Sequence, residues 1–342
     1  MMSSPEDSGG GSGGKGRGEF GLIAELFAPL AIGHPGALHL KDDAAILSLP
    51  KGYRLVATTD AVVAGVHFLP DDPPDLVAKK AVRVNLSDVA AMGAEPMGIL
   101  VAACFPKEGG EAWIEAFARG LSEDVHAYNC PVLGGDTVAT PGPATITVTA
   151  LGCAPAGGEL RRDGAKEGDV LMVTGTLGDA ALGLKVCRGD PALAGLSETH
   201  KAFLMDRYRL PRPRVSFGPV LSGMARSCLD VSDGLIGDLK HICENSHLGA
   251  EVDLEALPLS DAARAALDAA PVLLGSVLCG GDDYELLFTL PEERVEQVRA
   301  AAVRCGLTAT PIGRMVAGSE VFVRRGAGPA EPFAGGTSWS HY

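Results

Sequence analysis

The sequence has no long hydrophobic run, no paired cysteines and no concentration of positive charge. The apolar stretch GILVAACF (Gly98 to Phe105) falls far short of the roughly 18 residues a membrane span requires, and reads as a buried strand. The eight cysteines, Cys104, Cys130, Cys153, Cys187, Cys228, Cys243, Cys279 and Cys305, make no CxxC pair. That spacing offers neither a zinc knuckle nor a disulfide framework, and fits reduced thiols packed as small hydrophobes. With 43 Asp and Glu against 29 Lys and Arg, the chain lacks the basic patch that nucleic acid demands. Residues 1–17 are rich in Gly and Ser and carry no apolar signal core. They read as a disordered tail on a cytoplasmic protein. A phosphate loop begins in that tail, from Gly9 to Lys15, and then fails. Gly16 stands where Ser or Thr is needed, and no strand precedes it.

What the chain has instead is a series of short acidic clusters set among small residues. They are KDDAA (Lys41 to Ala45), TTDAVVAGVHF (Thr58 to Phe68), NLSD (Asn85 to Asp88), GGDT (Gly134 to Thr137), DVSDG (Asp230 to Gly234) and GGDDYEL (Gly280 to Leu286). Carboxylates on tight, glycine-flanked turns suit hard cations such as Mg²⁺. A chain of net charge −14 repels polyanions unless cations neutralise them. The pattern points to metal-bridged phosphate chemistry. Each cluster alone also has an ordinary reading. Asp42 and Asp43 fit a solvated turn. His67 fits either a structural histidine or a contact to a substrate phosphate or hydroxyl. The turn GTLGDAALG (Gly175 to Gly183) is either a phosphate cradle at a helix N-terminus or a plain strand-to-helix turn capped by Asp179. The conjunction of Asp42, Asp60, Asp88, Asp136 and Asp230 carries the argument.

Periodicity predicts a mixture of strands and helices with hairpin-like pairs, an α+β fold. Ile23, Leu26, Phe27 and Leu30 share a helical face. AAILSL, YRLVATTD and VVAGVHF read as strands, DLVAKKAVRVNLSDVAAMG as a helix, and GILVAACF as the next strand. EAWIEAFARGLSEDVHAYN is an amphipathic helix, and VLGGDT and TITVTALGCA are strands. A Gly-, Arg- and Lys-rich stretch near Pro155 to Gly168 marks a boundary, giving a tail of 1–17 and domains of 18–153 and 154–342. The second half restarts as strand, turn and helix at DVLMVTGTLGDAALGLKV and again at SCLDVSDGLIGDLKHICEN, where Ser232 or Asp233 is a candidate N-cap. EVDLEALPLS, LLGSVLCGGDDYELLFTL and TATPIGRM supply further strands, with Tyr284, Leu286 and Phe288 as strand core. NLSDVAAMG and DVSDGLIGD echo one another, both placing Ser-Asp at the mouth of a helix.

KDDAA, TTDAVVAGVHF, AVRVNLSDVAAMGAEP, LGGDT, VTGTLGDAALGL, DVSDGLIGDL and GGDDYELLF, taken in that order, resemble the bacterial thiamine-monophosphate kinases. These form a family within the aminoimidazole-ribonucleotide synthetase superfamily. The resemblance runs from Gly18 to Tyr342. It implies a two-domain α/β sandwich whose N-terminal sheets pair into a barrel across a homodimer. It also implies ATP as co-substrate, several Mg²⁺ ions, and thiamine monophosphate as phosphoryl acceptor. By position, Asp42, Thr58, Thr59, Asp60, Asp88 and Asp230 fall at Mg²⁺ sites, Asp233 at a further one, and Asp136 at both metal and nucleotide. Gly135, Arg162 and Ser232 fall at ATP contacts, and His67 and Asp282 at substrate contacts. Trp339 is the candidate aromatic for the thiamine rings. Two positions depart from the family pattern. Asp282 stands where Glu is usual, which re-aims that contact, and Lys41 stands where glycine commonly precedes the Asp pair.

The chemistry agrees with the resemblance. A phosphate monoester has a second pKa of about 6, so the acceptor is mostly dianionic at neutral pH and needs no strong general base. The obstacle is repulsion between two polyanions, which bound cations relieve, and direct in-line transfer is the simplest mechanism. Other ATPases of the superfamily are the neighbouring readings. A selenophosphate synthetase would want a reactive Cys near its N-terminus, and residues 1–40 contain none. A hydrogenase-maturation carbamoyl dehydratase would want a C-terminal Cys, and this chain ends Ser-His-Tyr. The alternative from another class is a non-catalytic nucleotide-binding relative, against which the full acidic set argues.

Overall fold

The computed structural model describes residues 21–31 and 33–333. The Gly/Ser tail and Trp339 lie outside the described residues. Strand β1 (Tyr53–Val63) is followed by helix α1 (Pro74–Ala91), β2 (Glu95–Pro106), α2 (Gly110–Ala127), β3 (Val132–Thr140) and β4 (Thr145–Pro155). The four strands form one sheet in the order β1-β4-β2-β3. β4 runs antiparallel to β1 and β2, while β2 and β3 are parallel. A parallel pair needs a crossover, and α2 supplies it. Alternate residues of the strands point to one side, where Ile99, Val101, Phe105, Ile146 and Val148 bury against Val77, Ala81, Leu86, Phe117 and Leu121 of the two helices. The other side is covered at one corner, where the turns Ala28–Ala31 and Pro35–Leu40 bring Ala31 and Ala37 onto Leu133. Across the rest of that face Leu55, Leu100 and Val138 are 48%, 36% and 47% exposed.

The second half builds a seven-stranded sheet. In chain order its elements are β5 (Val170–Thr174), α3 (Asp179–Cys187), α4 (Glu198–Arg209), β6 (Ser227–Asp230), α5 (Leu235–Ser246), β7 (Gly249–Asp253) and α6 (Asp261–Ala269). They continue with β8 (Leu286–Leu290), α7 (Val295–Arg304), β9 (Ala309–Val316), β10 (Val321–Arg324) and β11 (Glu331–Pro332). The strand order is β11-β10-β7-β9-β5-β8-β6. Both faces are packed. Leu171, Val173, Leu229 and Leu287 meet Leu239 and Ile242 of α5, while Met172, Cys228, Phe288 and Leu290 meet Phe217 and Val298. The result is the expected two-domain α+β architecture. Among the described residues, no helix is long and apolar enough to cross a membrane, and all eight cysteines are free thiols.

Helix α1 belongs to both halves. Most of it lies in the first core, and its last residue, Ala91, packs with Phe217 and Leu221 of the second. Polar ties fix the junction. Arg83 clasps Asp124 of α2 through two hydrogen bonds of 2.7 and 2.8 Å and donates to the Pro211 carbonyl at 3.1 Å. Arg209 holds Asp72 at 2.6 Å. At Gly218 the backbones come so close that a Cβ would stand 2.1 Å from the Ala90 carbonyl oxygen.

Several local expectations need correction. AAILSL forms no strand: Ile46 is 67% exposed, and no neighbouring strand pairs with it. YRLVATTD and the start of VVAGVHF merge into the single strand β1, after which the chain turns through Ala64 to Phe68. LLGSVLC forms a helical turn, Leu274–Cys279. EVDLEALPLS is a strand only as far as Asp253. The N-cap of α5 is Gly234, and the Asp233 amide donates instead to Asp238 at 3.0 Å. Tyr284 precedes β8 and has a positive φ of 52°, so it is not strand core. The Ser-Asp echo is not structural either: Asp88 lies within the last turns of α1, whereas Asp233 lies before its helix.

The domain junction gives a direct test. Gly218→Ala drives a methyl group into the Ala90 carbonyl and should lower stability by about 1–3 kcal/mol. A urea midpoint shift at constant slope would measure it.

Candidate active-site cleft

β1 and α1 present the first set of ligand-type oxygens. Because β1 alternates, Thr58 and Asp60 face α1, while Thr59 turns to the open side and bonds Thr149 there at 3.0 Å. The Thr58 hydroxyl donates to Asp88 at 2.6 Å. Asn85, fully buried, accepts the Asp60 amide proton at 3.0 Å and anchors itself on the Ala81 carbonyl at 2.9 Å. Strand and helix are thus pinned together one turn from Asp88. From the other domain β6 ends at Asp230, which is 5% exposed, and the turn after it carries Ser232 and Asp233. Thr58, Asp60, Asp88, Asp230, Ser232 and Asp233, with Arg162, His67 and Asp282, line one cleft of about 990 Å³ between the sheets.

The acids perturb one another. Burial pushes Asp88 up to about 6, with the nearby Asp60 charge adding to the rise and the Thr58 hydrogen bond opposing it. Asp60 is raised by burial and by the charge of Asp233. Asp230 rises well above the usual range through burial and the charge of Asp88, and burial pushes Asp238 up to about 7. Among the described residues, no three carboxylate, imidazole or thiol groups converge to hold one metal ion by themselves. The donor set nonetheless fits Mg²⁺, which takes oxygen ligands, keeps several waters, and is bound through one or two carboxylates plus substrate phosphates. Crowded acids of raised pKa are also the arrangement that a divalent cation relieves.

His67 and Asp282 lie at one end of the cleft. His67 Nδ1 accepts the Val63 amide proton at 3.0 Å, so Nε2 carries the ring proton and is a donor. The Gly280–Glu285 loop holds two non-glycine residues at positive φ, Asp282 at 74° and Tyr284 at 52°. Their amides are fixed to Ser232 O and Val231 O, each at 2.8 Å. Asp283 accepts from Gly178 N at 2.6 Å and Ala180 N at 3.3 Å. Glu285 is gripped by Arg207 at 3.0 Å, Arg214 at 2.6 Å and the Thr174 hydroxyl at 2.7 Å. The amides at the start of α3 are therefore already taken by Asp283, and GTLGDAALG is a plain turn, not a phosphate cradle. Asp179 does not cap it; its carboxylate is bonded by the Thr176 and Ser260 hydroxyls.

The structure does not gather every residue singled out in the sequence. Asp42, Gly135 and Asp136 line a separate cavity of about 420 Å³ with Phe27, Leu40, Leu133 and Leu151. Asp136 sits in register with Ala102, on the same open face as Leu100 and Val138. It is on β3, the opposite edge of the sheet from β1. Conversely, Lys80, Asp283 and Glu285 organise the cleft without being among the site residues the sequence singles out. Lys80 had one signal: it sits between Val77 and Val84 on the buried stripe of α1.

Two family models divide the chain. That described as AIR synthase related protein, N-terminal domain, matches residues 41–154, and its C-terminal counterpart matches 166–326. A thiamine-monophosphate kinase of Caulobacter vibrioides is 45% identical over 306 residues, covering 89% of this chain and 85% of that protein. The crystal structure of thiamine-monophosphate kinase from Stenotrophomonas maltophilia, 39% identical, aligns with a TM-score of 0.76 over 83% of this chain and 89% of that one. A structure described as AaThiL complexed with AMPPCP and TMP, 30% identical, aligns with a TM-score of 0.72 over 93% and 97%. Likeness at this level across both domains means that the chain belongs to the AIR synthase related family and, within it, to the thiamine-monophosphate kinases.

Proposed function

We propose that the chain transfers the γ-phosphoryl group of ATP to thiamine monophosphate, forming thiamine diphosphate and ADP. The observation that carries this reading is the cleft itself, where Asp60 and Asp88 face Asp230 and Asp233 with His67 and Asp282 at one end. A phosphate oxygen of the acceptor forms the new bond to the γ-phosphorus, and the bond to the β–γ bridging oxygen breaks, leaving ADP. The acceptor is already largely dianionic at neutral pH, so no residue has to remove a proton. Asp60, Asp88 and Asp230, with Thr58, would hold Mg²⁺, which when bound offsets the charge of both phosphate groups. Arg162 and Ser232 line the same cleft and are assigned to ATP. The His67 Nε2 proton and the Asp282 carboxylate are assigned to the acceptor.

The second part of the reading is a homodimer that buries the open face of the first sheet. Leu55, Leu100 and Val138 lie exposed there, a patch of the kind that marks an interaction surface. Burying the face brings Thr59 and Asp136, held by one chain on opposite edges of the sheet, into one interface. Eight free thiols suit a reducing compartment, and we place the protein in the cytoplasm.

Coupled ADP release tests the activity. ADP should form with ATP, Mg²⁺ and thiamine monophosphate and not with free thiamine, and Asp60→Ala should lower kcat by about 100-fold or more. No ADP with either acceptor, from folded protein, would overturn the assignment.

The raised Asp88 makes cation binding pH-dependent. Its folded pKa of about 6 lies above the ordinary 3.8. Without cation, its contribution to stability is greatest below pH 3.8 and is lost as pH rises through about 6. Mg²⁺ binds the ionised forms, so its affinity should rise with pH through about 6 as Asp88 ionises, and Asp230, raised further, should carry the rise beyond that point. Calorimetric titration of Mg²⁺ from pH 5 to 8 should show this rise, and Asp88→Asn should make it shallower. The dimer is tested by sedimentation: the wild type should run as two copies, and Leu55→Glu combined with Leu100→Glu as one.

A further inference from the structure

One buried charged side chain behind the cleft wall has no part in the scheme above. Lys80 is 3% exposed, and its ammonium joins three segments from different parts of the fold. It donates to the His67 carbonyl at 2.9 Å and to Asp282 Oδ2 at 2.9 Å, and it stands 4.1 Å from the centre of the Tyr208 ring. His67 follows β1 of the first domain, Asp282 lies in the loop before β8 of the second, and Tyr208 is on α4. All three line the cleft, and Lys80 joins them from behind. Taking an ammonium out of water costs several kcal/mol, which good geometry and hydrogen bonding must offset. A methionine would fill the same volume without that cost. What the charge adds is a fixed position for its partners.

Both partners need fixing. Asp282 holds a left-handed backbone, φ 74°, a conformation that costs a non-glycine residue about 1 kcal/mol or more and persists only when its surroundings impose it. Its amide bond to Ser232 ties the loop to the second domain. Tyr284 of the same loop packs against the first core, and Lys80 is the polar tie to that domain at Asp282 itself. At His67 the same ammonium holds the main-chain carbonyl, while the ring is held through Nδ1 by Val63 N. Backbone and ring are thus restrained independently, which aims Nε2.

We propose that Lys80 is a positioning residue for the phosphoryl acceptor, setting the separation and aim of His67 and Asp282 across the domain boundary. This rests on the reading of that end of the cleft as the thiamine monophosphate site. Lys80 acts through its two partners and does not touch the transferred group.

The test uses Lys80→Met, which keeps the stem against Tyr208 and removes the charge, and Lys80→Arg, which keeps the charge. Hydrogen exchange in the substrate-free protein reads the positioning directly. In Lys80→Met the Asp282 amide should exchange about tenfold faster or more while amides of β5 stay unchanged, and Lys80→Arg should restore most of the protection. Steady-state kinetics reads the consequence. In Lys80→Met the KM for thiamine monophosphate should rise about tenfold while the KM for ATP moves less than about twofold. Unchanged exchange at Asp282, or faster exchange throughout the chain, overturns the positioning role. Local loosening with an unmoved acceptor KM overturns the link to the acceptor. A wild type inactive with thiamine monophosphate overturns the functional reading and with it the acceptor role, while exchange still decides the tie between domains.

Discussion

Everything in this fold that bears on function depends on a helix buried with its polar side chains. α1 lies between the first sheet and the second domain, and Lys80, Asn85 and Ser87 on it are almost fully enclosed. A buried polar group without a partner costs a few kcal/mol, so the surroundings of α1 are dictated one donor and acceptor at a time. Asn85 fixes β1, Arg83 fixes α2 and the Pro211 connector, Asp88 takes the Thr58 hydroxyl, and Lys80 reaches the Gly280–Glu285 loop. Apolar packing alone would hold two domains together in many similar ways. Directional bonds from one helix in several directions select a single arrangement, and the cleft takes its shape from it.

The same enclosure governs the electrostatics. Asp88 and Asp230 are raised because low-dielectric surroundings penalise charge and because each faces another acid. On the proposed reading a cation would serve both sides of such a site: the acids need positive charge, and the anionic substrates need it too. The arginines buried behind the cleft do a different job. Arg207 and Arg214 are spent on Glu285, which anchors the strained loop, and they do not face the cleft.

How much of this is legible in the sequence follows from what each residue's signal is. The acids of the cleft stand on glycine-rich turns, and their spacing announces them. Asp230, Ser232 and Asp233 meet Asp60 and Asp88 as the motifs imply. Thr58 and Thr59 are adjacent in sequence, but strand alternation sends them to opposite faces. Lys80 follows Lys79, and only burial separates the structural lysine from its partly exposed neighbour. Asp283 follows Asp282 and likewise looks like part of one acidic run, yet it bonds the Gly178 amide at the start of a helix, 105 residues earlier in the chain. AAILSL has the composition of a strand and no partner to pair with, and pairing is a property of the whole fold, not of a segment.

The division of the acidic set between two cavities also has a physical consequence. β1 carries Thr58 and Asp60, and it is an edge strand of eleven residues with only β4 beside it. Its outer face includes Tyr53 and Leu55, 40% and 48% exposed. Long apolar edges and faces are normally covered, because uncovered they recruit other chains without specificity. A second copy laid on this face would remove that hazard and stiffen β1 from the side that α1 does not reach. Placement of Thr58 and Asp60 would then depend on assembly as well as on Asn85. Loss of the interface and loss of cleft geometry would be one event.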